Sequence, residues 1–339
     1  MKKVFLSFSL SLLLPLLAQA VSAQQIEVDA SMPSYKPTGA NLTGELNIVG
    51  AVAMKKAIEI WTQEFNKLYP NIHFHLNLRG SSTAAAPLVT GISQIAPMGR
   101  ELWDCELVQF KHTWGYLPLR VEVSRGSYNV SQRSQILAVY VNKDNPIEKL
   151  TLAQVDAIFS KSRLRGYKER VETWGQLGLA GDLAQQPIHP YSLSDDSTGV
   201  AEWFRSRVLL NGKFRDAVDD VPSPQELMKR LSEDRSAIGF TGISYLGPNI
   251  KVVPIAEDDA GPFSSGSLAD VLSGKYPLTR FMYVYLKQPP DQAMDPVIKE
   301  FLTYVLSKQG QEAQAKQGEL LPLPADVVRQ ERVQLEKFK

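Results

Sequence analysis

Short apolar runs alternate with amphipathic stretches along the chain. Apolar side chains recur at three- and four-residue intervals in 54–70, which predicts a helix ended by Pro70, and compact apolar runs predict strands at 45–50 and 72–78. The other predicted strands are 94–99, 136–146, 187–193, 237–242 and 281–287. The other predicted helices open at 82–86 or cover 101–115, 151–160, 197–210, 223–236 and 295–318. This alternation indicates an α/β fold with helices on the faces of the sheets.

The predicted elements fall into two similar blocks. The first lobe is expected to combine 42–135 with 255–325, and the second lobe to cover 136–254. Residues 24–41 are predicted to form an extended lead-in that is not packed, and 326–339 a C-terminal tail. No Pro/Gly-rich linker separates the blocks, so the chain is expected to cross between them in strands. That arrangement predicts a hinge with a cleft between the lobes.

The N-terminus has the layout of a secretory signal peptide. Two lysines precede an apolar stretch at 4–17, and small residues follow, which predicts cleavage after Ala23, with Ala20 as the second choice. No later segment approaches about 20 apolar residues, so we expect no membrane span in the mature protein. The only cysteine is Cys105, which excludes an intrachain disulfide and argues against a lipid anchor. We expect an exported, soluble, monomeric protein of the periplasm.

Charge and motifs exclude several classes of function. The formal net charge of +1 becomes −1 when the two signal-peptide lysines are removed, which does not suggest nucleic acid or an anionic membrane as a partner. The sequence has no nucleophile elbow, no phosphate-loop lysine motif and no catalytic carboxylate pair. A hydrolase built on Ser197 and His189 is a minor alternative. His73 and His75 alternate on a strand, but no third metal ligand accompanies them. We therefore expect neither enzyme activity nor a cofactor or metal.

One turn carries candidate binding chemistry. The segment RGSSTAAAPLVTG, residues 79–91, places Gly80 and three hydroxyl residues before a predicted helix. The first turn of a helix offers unpaired N–H donors and a partial positive charge, so the turn could hold an oxyanion. Serine and threonine are also common N-cap residues, and the turn alone leaves both interpretations open.

Longer segments carry a family resemblance. They are KKAIEIWTQEFNKLYPNI, RGSSTAAAPLVTG, APMGRELWDCEL, LAVYVNKDNPIEKLTLAQVDAIFS, TWGQLGL, AIGFTGISYL and SGKYPLTRFMYVYLK. In this order, from about residue 42 to residue 325, the chain resembles the phosphate-binding proteins of ABC importers. The resemblance implies the type II periplasmic-binding fold, in which two α/β lobes joined by two crossover strands close on a ligand in a central cleft. It also implies phosphate or another small anion or metabolite as ligand and an ABC permease as partner.

The resemblance assigns ligand-binding residues to four turns. By position, the implied residues are Gly50, Ala51, Ser81, Ser82, Thr83, Arg100, Ser197 and Thr198. Three of the four turns depart from the family pattern. Ala51 and Val52 stand where hydroxyl or acidic residues are usual, Gly99 replaces a serine or aspartate, and Leu193 stands where an arginine clamp is expected.

These departures predict a degenerate site with weakened phosphate affinity. Arg100 either compensates as a ligand or pairs with Asp104 on its own helix. Asp195 and Asp196 either repel an anion in the cleft or cap the helix that begins at Ser197. The alternative function is a binding-protein fold that lost its ligand and serves as a sensor or protein-interaction module.

Overall fold

A computed structural model of the chain describes residues 26–130, 134–194 and 199–339. The strands within these ranges are β1 Gly44–Gly50, β2 Ile72–Leu78, β3 Ile95–Met98, β4 Leu119–Arg125, β5 Leu137–Asn142, β6 Leu150–Thr151, β7 His189–Leu193, β8 Asp219–Val221, β9 Ala237–Gly242, β10 Ile250–Val252, β11 Ile255–Ala256 and β12 Phe281–Leu286. The helices are α1 Lys55–Leu68, α2 Ala85–Val89, α3 Asp104–Trp114, α4 Leu152–Phe159, α5 Val200–Arg207, α6 Pro224–Glu233, α7 Leu268–Leu272, α8 Pro296–Val305, α9 Lys308–Ala315 and α10 Ala325–Glu336. The predicted signal peptide lies outside the described residues.

Two five-stranded sheets form the two lobes. The first sheet has the order β2-β1-β3-β12-β4, in which β1 runs parallel to β2 and β3, and β12 runs antiparallel to β3 and β4. The second sheet has the order β10-β5-β9-β7-β8 and is also mixed. Strands β6 and β11 pair separately. This architecture confirms the predicted α/β two-lobed periplasmic-binding fold.

Each sheet has its own apolar core. In α1, Ile58, Trp61 and Phe65 recur at three- and four-residue spacing and are buried against the first sheet, as the hydrophobic pattern predicted. In the second lobe, the rings of Phe204 and Phe240 stack with centroids 3.6 Å apart. Among the described helices, none is long and apolar enough to cross a bilayer.

The N-terminal lead-in is packed, contrary to the prediction. The hydroxyl of Tyr35 donates to Glu300 Oε1 at 2.6 Å, and the hydroxyl of Tyr69 donates to the same oxygen at 2.7 Å. Met32 and Tyr35 are both buried in the first lobe's core. Its contacts come from single apolar and aromatic residues without a repeating pattern, so the hydrophobic pattern does not indicate this packing.

The C-terminal segment also differs from the prediction. The single helix expected at 295–318 is divided at Ser307, whose hydroxyl donates to the carbonyl of Tyr304 at 2.6 Å and accepts from the N–H of Gly310 at 3.2 Å. Ser307 thereby ends α8 and caps α9. The predicted tail contains α10, which buries Val328 and Leu335 against the first lobe.

Two chain crossings lie side by side between the lobes. The N–H of Gly126 donates to the carbonyl of Arg280 at 2.7 Å, and the N–H of Leu137 donates to the carbonyl of Leu278 at 3.3 Å. The lobe limits taken from the sequence stay a prediction. Val271 belongs to the core of the second sheet, as do Tyr276 and Leu278, which favours a return to the first lobe near Arg280.

Candidate functional site

Three turns meet at one edge of the first sheet. The parallel strands β1, β2 and β3 end there, and β1 lies between the other two, where the strand order reverses. The N–H of Gly80 donates to the carbonyl of Gly50 at 2.9 Å, and the N–H of Ala51 donates to the carbonyl of Pro97 at 2.8 Å. In open α/β sheets, ligands bind in the crevice at such a reversal point. The predicted residues Gly50 and Ala51 therefore help to fix the geometry of this edge.

Backbone amides supply the donors at this edge. Short 3-10 turns at Val52–Met54 and Ser81–Thr83 follow β1 and β2. The N–H groups of Val52, Ala53, Ser81 and Ser82 donate to no group of the described residues. Unpaired amides at the start of such turns favour a negatively charged ligand. Ala51 and Val52 carry no hydroxyl, but the amide donors of this turn belong to the backbone and do not depend on the side chains.

The three predicted hydroxyls differ in what they can offer to a ligand. Ser81 Oγ accepts from the N–H of Gly99 at 3.0 Å, which ties the turn after β2 to the turn after β3 and leaves its own proton free. The hydroxyl of Thr83 donates to the carbonyl of Gly80 at 2.7 Å, so its proton is already used. The exposed Ser82 hydroxyl has no hydrogen bond to a described residue. Ser81 and Ser82 can therefore donate to an anion, and Thr83 stabilises the turn.

Arg100 is neutralised by a neighbour other than the predicted one. Its Nη1 and Nη2 donate to the two carboxylate oxygens of Glu106 at 2.8 and 2.9 Å, and the guanidinium lies 3.7 Å from the centre of the Trp103 ring. The partner is therefore Glu106 and not Asp104. Arg100 is only 5% exposed, so this pair fixes its position. It stays a predicted site residue, but its charge is already balanced.

Arg280 was missed by the sequence analysis. It directly precedes β12, is 3% exposed, and donates from Nε to the carbonyl of Gly99 at 2.8 Å. Its Nη2 also lies close to Gly199, at the start of α5 in the second lobe, since a Cβ added to Gly199 would be 3.9 Å from it. The guanidinium therefore reaches from one lobe to the other. Burial lowers the pKa of Arg280 to about 10, and Arg100 acts in the same direction. The guanidinium is charged at neutral pH. The available signal was an arginine immediately before the apolar strand FMYVYL.

Comparisons with known proteins show which family the chain belongs to. Residues 36–309 match the PBP superfamily domain. The phosphate-binding protein PstS of Pseudomonas aeruginosa PAO1 is 37% identical over 310 residues, which cover 91% of each chain. The chain belongs to the PstS family of phosphate-binding proteins. Protein SphX of Synechococcus elongatus is 25% identical over 79% of this chain and 74% of its own length. The PstS family is a family of binding proteins, and the chain is not an enzyme.

Solved structures support the fold of this PstS homologue. PstS from Borrelia burgdorferi superposes with a TM-score of 0.56 at 17% identity, covering 82% of this chain and 98% of that one. An ABC-type phosphate transport receptor from Vibrio cholerae gives a TM-score of 0.55 at 19% identity, covering 82% and 100%. At these identities the likeness shows the fold alone.

The fourth turn of this PstS-family chain is only partly described. Leu193, which stands where the resemblance expects an arginine, ends β7 with its side chain 2% exposed in the second lobe's apolar core. Its side chain is therefore part of that core. The predicted ligand residues Ser197 and Thr198 and the acidic pair at 195–196 lie outside the described residues, so their roles stay predictions.

Two histidines of this PstS-family chain, His75 and His189, each lie beside a carboxylate. His73 and His75 are exposed on β2, and His75 Nε2 lies 3.5 Å from a carboxylate oxygen of Glu45. His189 Nδ1 lies 2.6 Å from Asp234 Oδ2. Across 26–130, 134–194 and 199–339, no three histidine, cysteine or acidic side chains are grouped so that they could hold a metal ion.

Proposed function

We propose that the chain binds inorganic phosphate between its lobes and delivers it to the permease of an ABC importer. The observation that carries this proposal is the set of unpaired amides at the turns after β1 and β2, in a chain 37% identical to PstS. The same turns are held in place by hydrogen bonds between neighbouring strand ends. A preformed set of donors loses little entropy when an anion binds.

The proposed site is degenerate in its side chains but retains its backbone donors. Ala51 and Val52 offer no hydroxyl, and Val52 is 43% exposed. Amide N–H groups can still form charge-assisted hydrogen bonds to phosphate oxygens, and Ser81 and Ser82 add two hydroxyl donors. The loss of side-chain partners favours an affinity weaker than that of a dedicated scavenger, since each charge-assisted contact contributes about 1.5–3 kcal/mol.

Delivery requires that phosphate favour the closed cleft. A ligand shifts a hinge equilibrium only by its different affinity for the open and closed states, so it must contact both lobes. Ser81 and Ser82 contribute from the first lobe, and we propose Ser197 and Thr198 as the contacts from the second. We further propose that the chain is exported by its signal peptide, acts in the periplasm as a monomer, and docks on an ABC permease.

Replacing Ser82 with alanine tests the assigned site. We expect phosphate affinity to fall about 10-fold, because one donor to a charged ligand is lost. The thermal unfolding midpoint without phosphate should not change, because the Ser82 hydroxyl makes no hydrogen bond to a described residue. Phosphate titrations followed by tryptophan fluorescence measure the first quantity.

A control at the other end of α2 separates site loss from general damage. The hydroxyl of Thr90 donates to the carbonyl of Ala86 at 3.0 Å and lies at the C-terminal end of this helix. Thr90→Ala should therefore leave phosphate affinity unchanged. Equal phosphate affinities in Ser82→Ala and wild type would remove Ser82 from the proposed site.

A further inference from the structure

The guanidinium of Arg280 is buried without a full set of partners. Its Nε donates to the carbonyl of Gly99 at 2.8 Å, but within the described ranges Nη1 and Nη2 donate to no group. Burying a charge without hydrogen-bonded partners is unfavourable. A residue in this state has two terminal nitrogens ready for an anion.

Arg125 shows what a structural arginine looks like in this chain. It is 2% exposed and ends β4, beside the other crossing between the lobes. Its Nε donates to the carbonyl of Pro322 at 2.7 Å, and its Nη1 donates to the carbonyls of Val271 and Leu272. The Arg125 guanidinium therefore donates to two backbone segments, whereas the Arg280 guanidinium donates to one.

The surroundings of Arg280 connect it to the proposed phosphate site. Gly99 accepts from Arg280 through its carbonyl and donates through its N–H to Ser81 Oγ, which belongs to the turn after β2. On the other side, Gly199 precedes the first turn of α5 and has a left-handed backbone with φ of 58°. The guanidinium thus lies between the Ser81 turn of one lobe and the N-terminus of α5 of the other.

Arg100 cannot take the same role without losing an existing pair. Both of its terminal nitrogens are bound to Glu106, and its guanidinium is stacked on Trp103. Leu193 is buried in the core. Arg100 follows Gly99 in the sequence, and Arg280 donates to its carbonyl. Of these two arginines, only Arg280 has terminal nitrogens that donate no hydrogen bond to a described residue.

We propose that Arg280 is the phosphate-binding arginine of this site and supplies, from the crossing between the lobes, the charge that position 193 lacks. This inference rests on the proposed function. Because the residue is bound to the first lobe and faces the start of α5, an anion on its terminal nitrogens contacts both lobes. Arg280 thereby links phosphate binding to closure of the cleft.

Calorimetric titration with inorganic phosphate tests this role. Arg280→Gln should bind phosphate about 100-fold more weakly than wild type, and Arg280→Lys about 10-fold more weakly, because lysine keeps the charge but loses the planar fork. The matched control is Arg125→Lys, which alters an equally buried arginine at the other crossing. It should change phosphate affinity by less than about 3-fold, although its stability falls.

The outcomes separate the two proposals. If wild type gives no phosphate signal, the proposed function fails and this inference fails with it. If wild type binds phosphate and Arg280→Gln binds equally well, the inference alone is overturned. If the Arg280 variants do not fold, a crystal structure of wild type with phosphate decides. A phosphate oxygen within about 3 Å of Nη1 or Nη2 supports the role, and a phosphate bound elsewhere overturns it.

Discussion

Replacing Leu193 with arginine is expected to lower the free energy of unfolding by about 3–5 kcal/mol and to leave phosphate binding no stronger. The family resemblance alone would suggest the opposite, since an arginine is expected at this position. The Leu193 side chain is 2% exposed and belongs to the apolar core of the second lobe. An arginine there would bury a charge among apolar side chains and displace the core.

Leu246→Arg is the matched control for that substitution. Leu246 is 83% exposed in the same lobe, so the same chemical change should alter the free energy of unfolding by less than about 0.5 kcal/mol. Denaturant unfolding of both variants gives the comparison. A Leu193→Arg protein as stable as wild type and with tighter phosphate binding would mean that this side chain reaches the cleft.

Replacing Gly50 with alanine is expected to destabilise the protein by about 3 kcal/mol and to abolish measurable phosphate binding. A Cβ at this position would lie 2.1 Å from the carbonyl oxygen of Pro97, a backbone atom that cannot move without shifting β3. The same movement would break the hydrogen bond from Ala51 to Pro97 and displace the amides that follow.

Gly80→Ala is the control, although Gly80 begins the turn that first suggested an anion site. Its backbone is extended, with φ of 167°, and a Cβ would meet only Ser82 Oγ at 3.7 Å. We expect a change in the free energy of unfolding within about 0.5 kcal/mol. Thermal and denaturant unfolding measure both variants. Equal stability of Gly50→Ala and wild type would contradict the close approach of β1 and β3.

The fold was largely predictable because its main elements have a local cause. The apolar spacing in 54–70 and the apolar run at 281–287 correspond to α1 and β12. Features that depend on distant contacts were missed. The lead-in is held by Glu300, which lies 265 residues from Tyr35, and no repeating pattern indicates that pairing. The division between α8 and α9 depends on one serine that turns its hydroxyl onto the backbone.

The turns of the candidate site follow from consecutive residues in the sequence, whereas the arginine proposed to bind phosphate does not. Gly80 and the hydroxyls after it are consecutive in sequence, so one short motif identified them. Arg280 lies 181 residues from Gly99, and only the crossing of the chain between lobes brings them together. The pairing of Arg100 with Glu106 likewise depended on side-chain geometry, since sequence spacing favoured Asp104.

Calorimetric titration of the purified mature protein with inorganic phosphate at neutral pH tests whether the chain binds phosphate, and how tightly. We expect one phosphate per chain with a Kd above about 1 μM, because backbone amides, two serines and one arginine replace a fuller set of side-chain partners. A submicromolar Kd would show that phosphate is the ligand but would contradict the prediction that the site is degenerate. A ligand that binds the folded protein must stabilise it. If phosphate at concentrations up to about 1 mM gives no binding heat and does not raise the unfolding temperature, the chain is not a phosphate-binding protein.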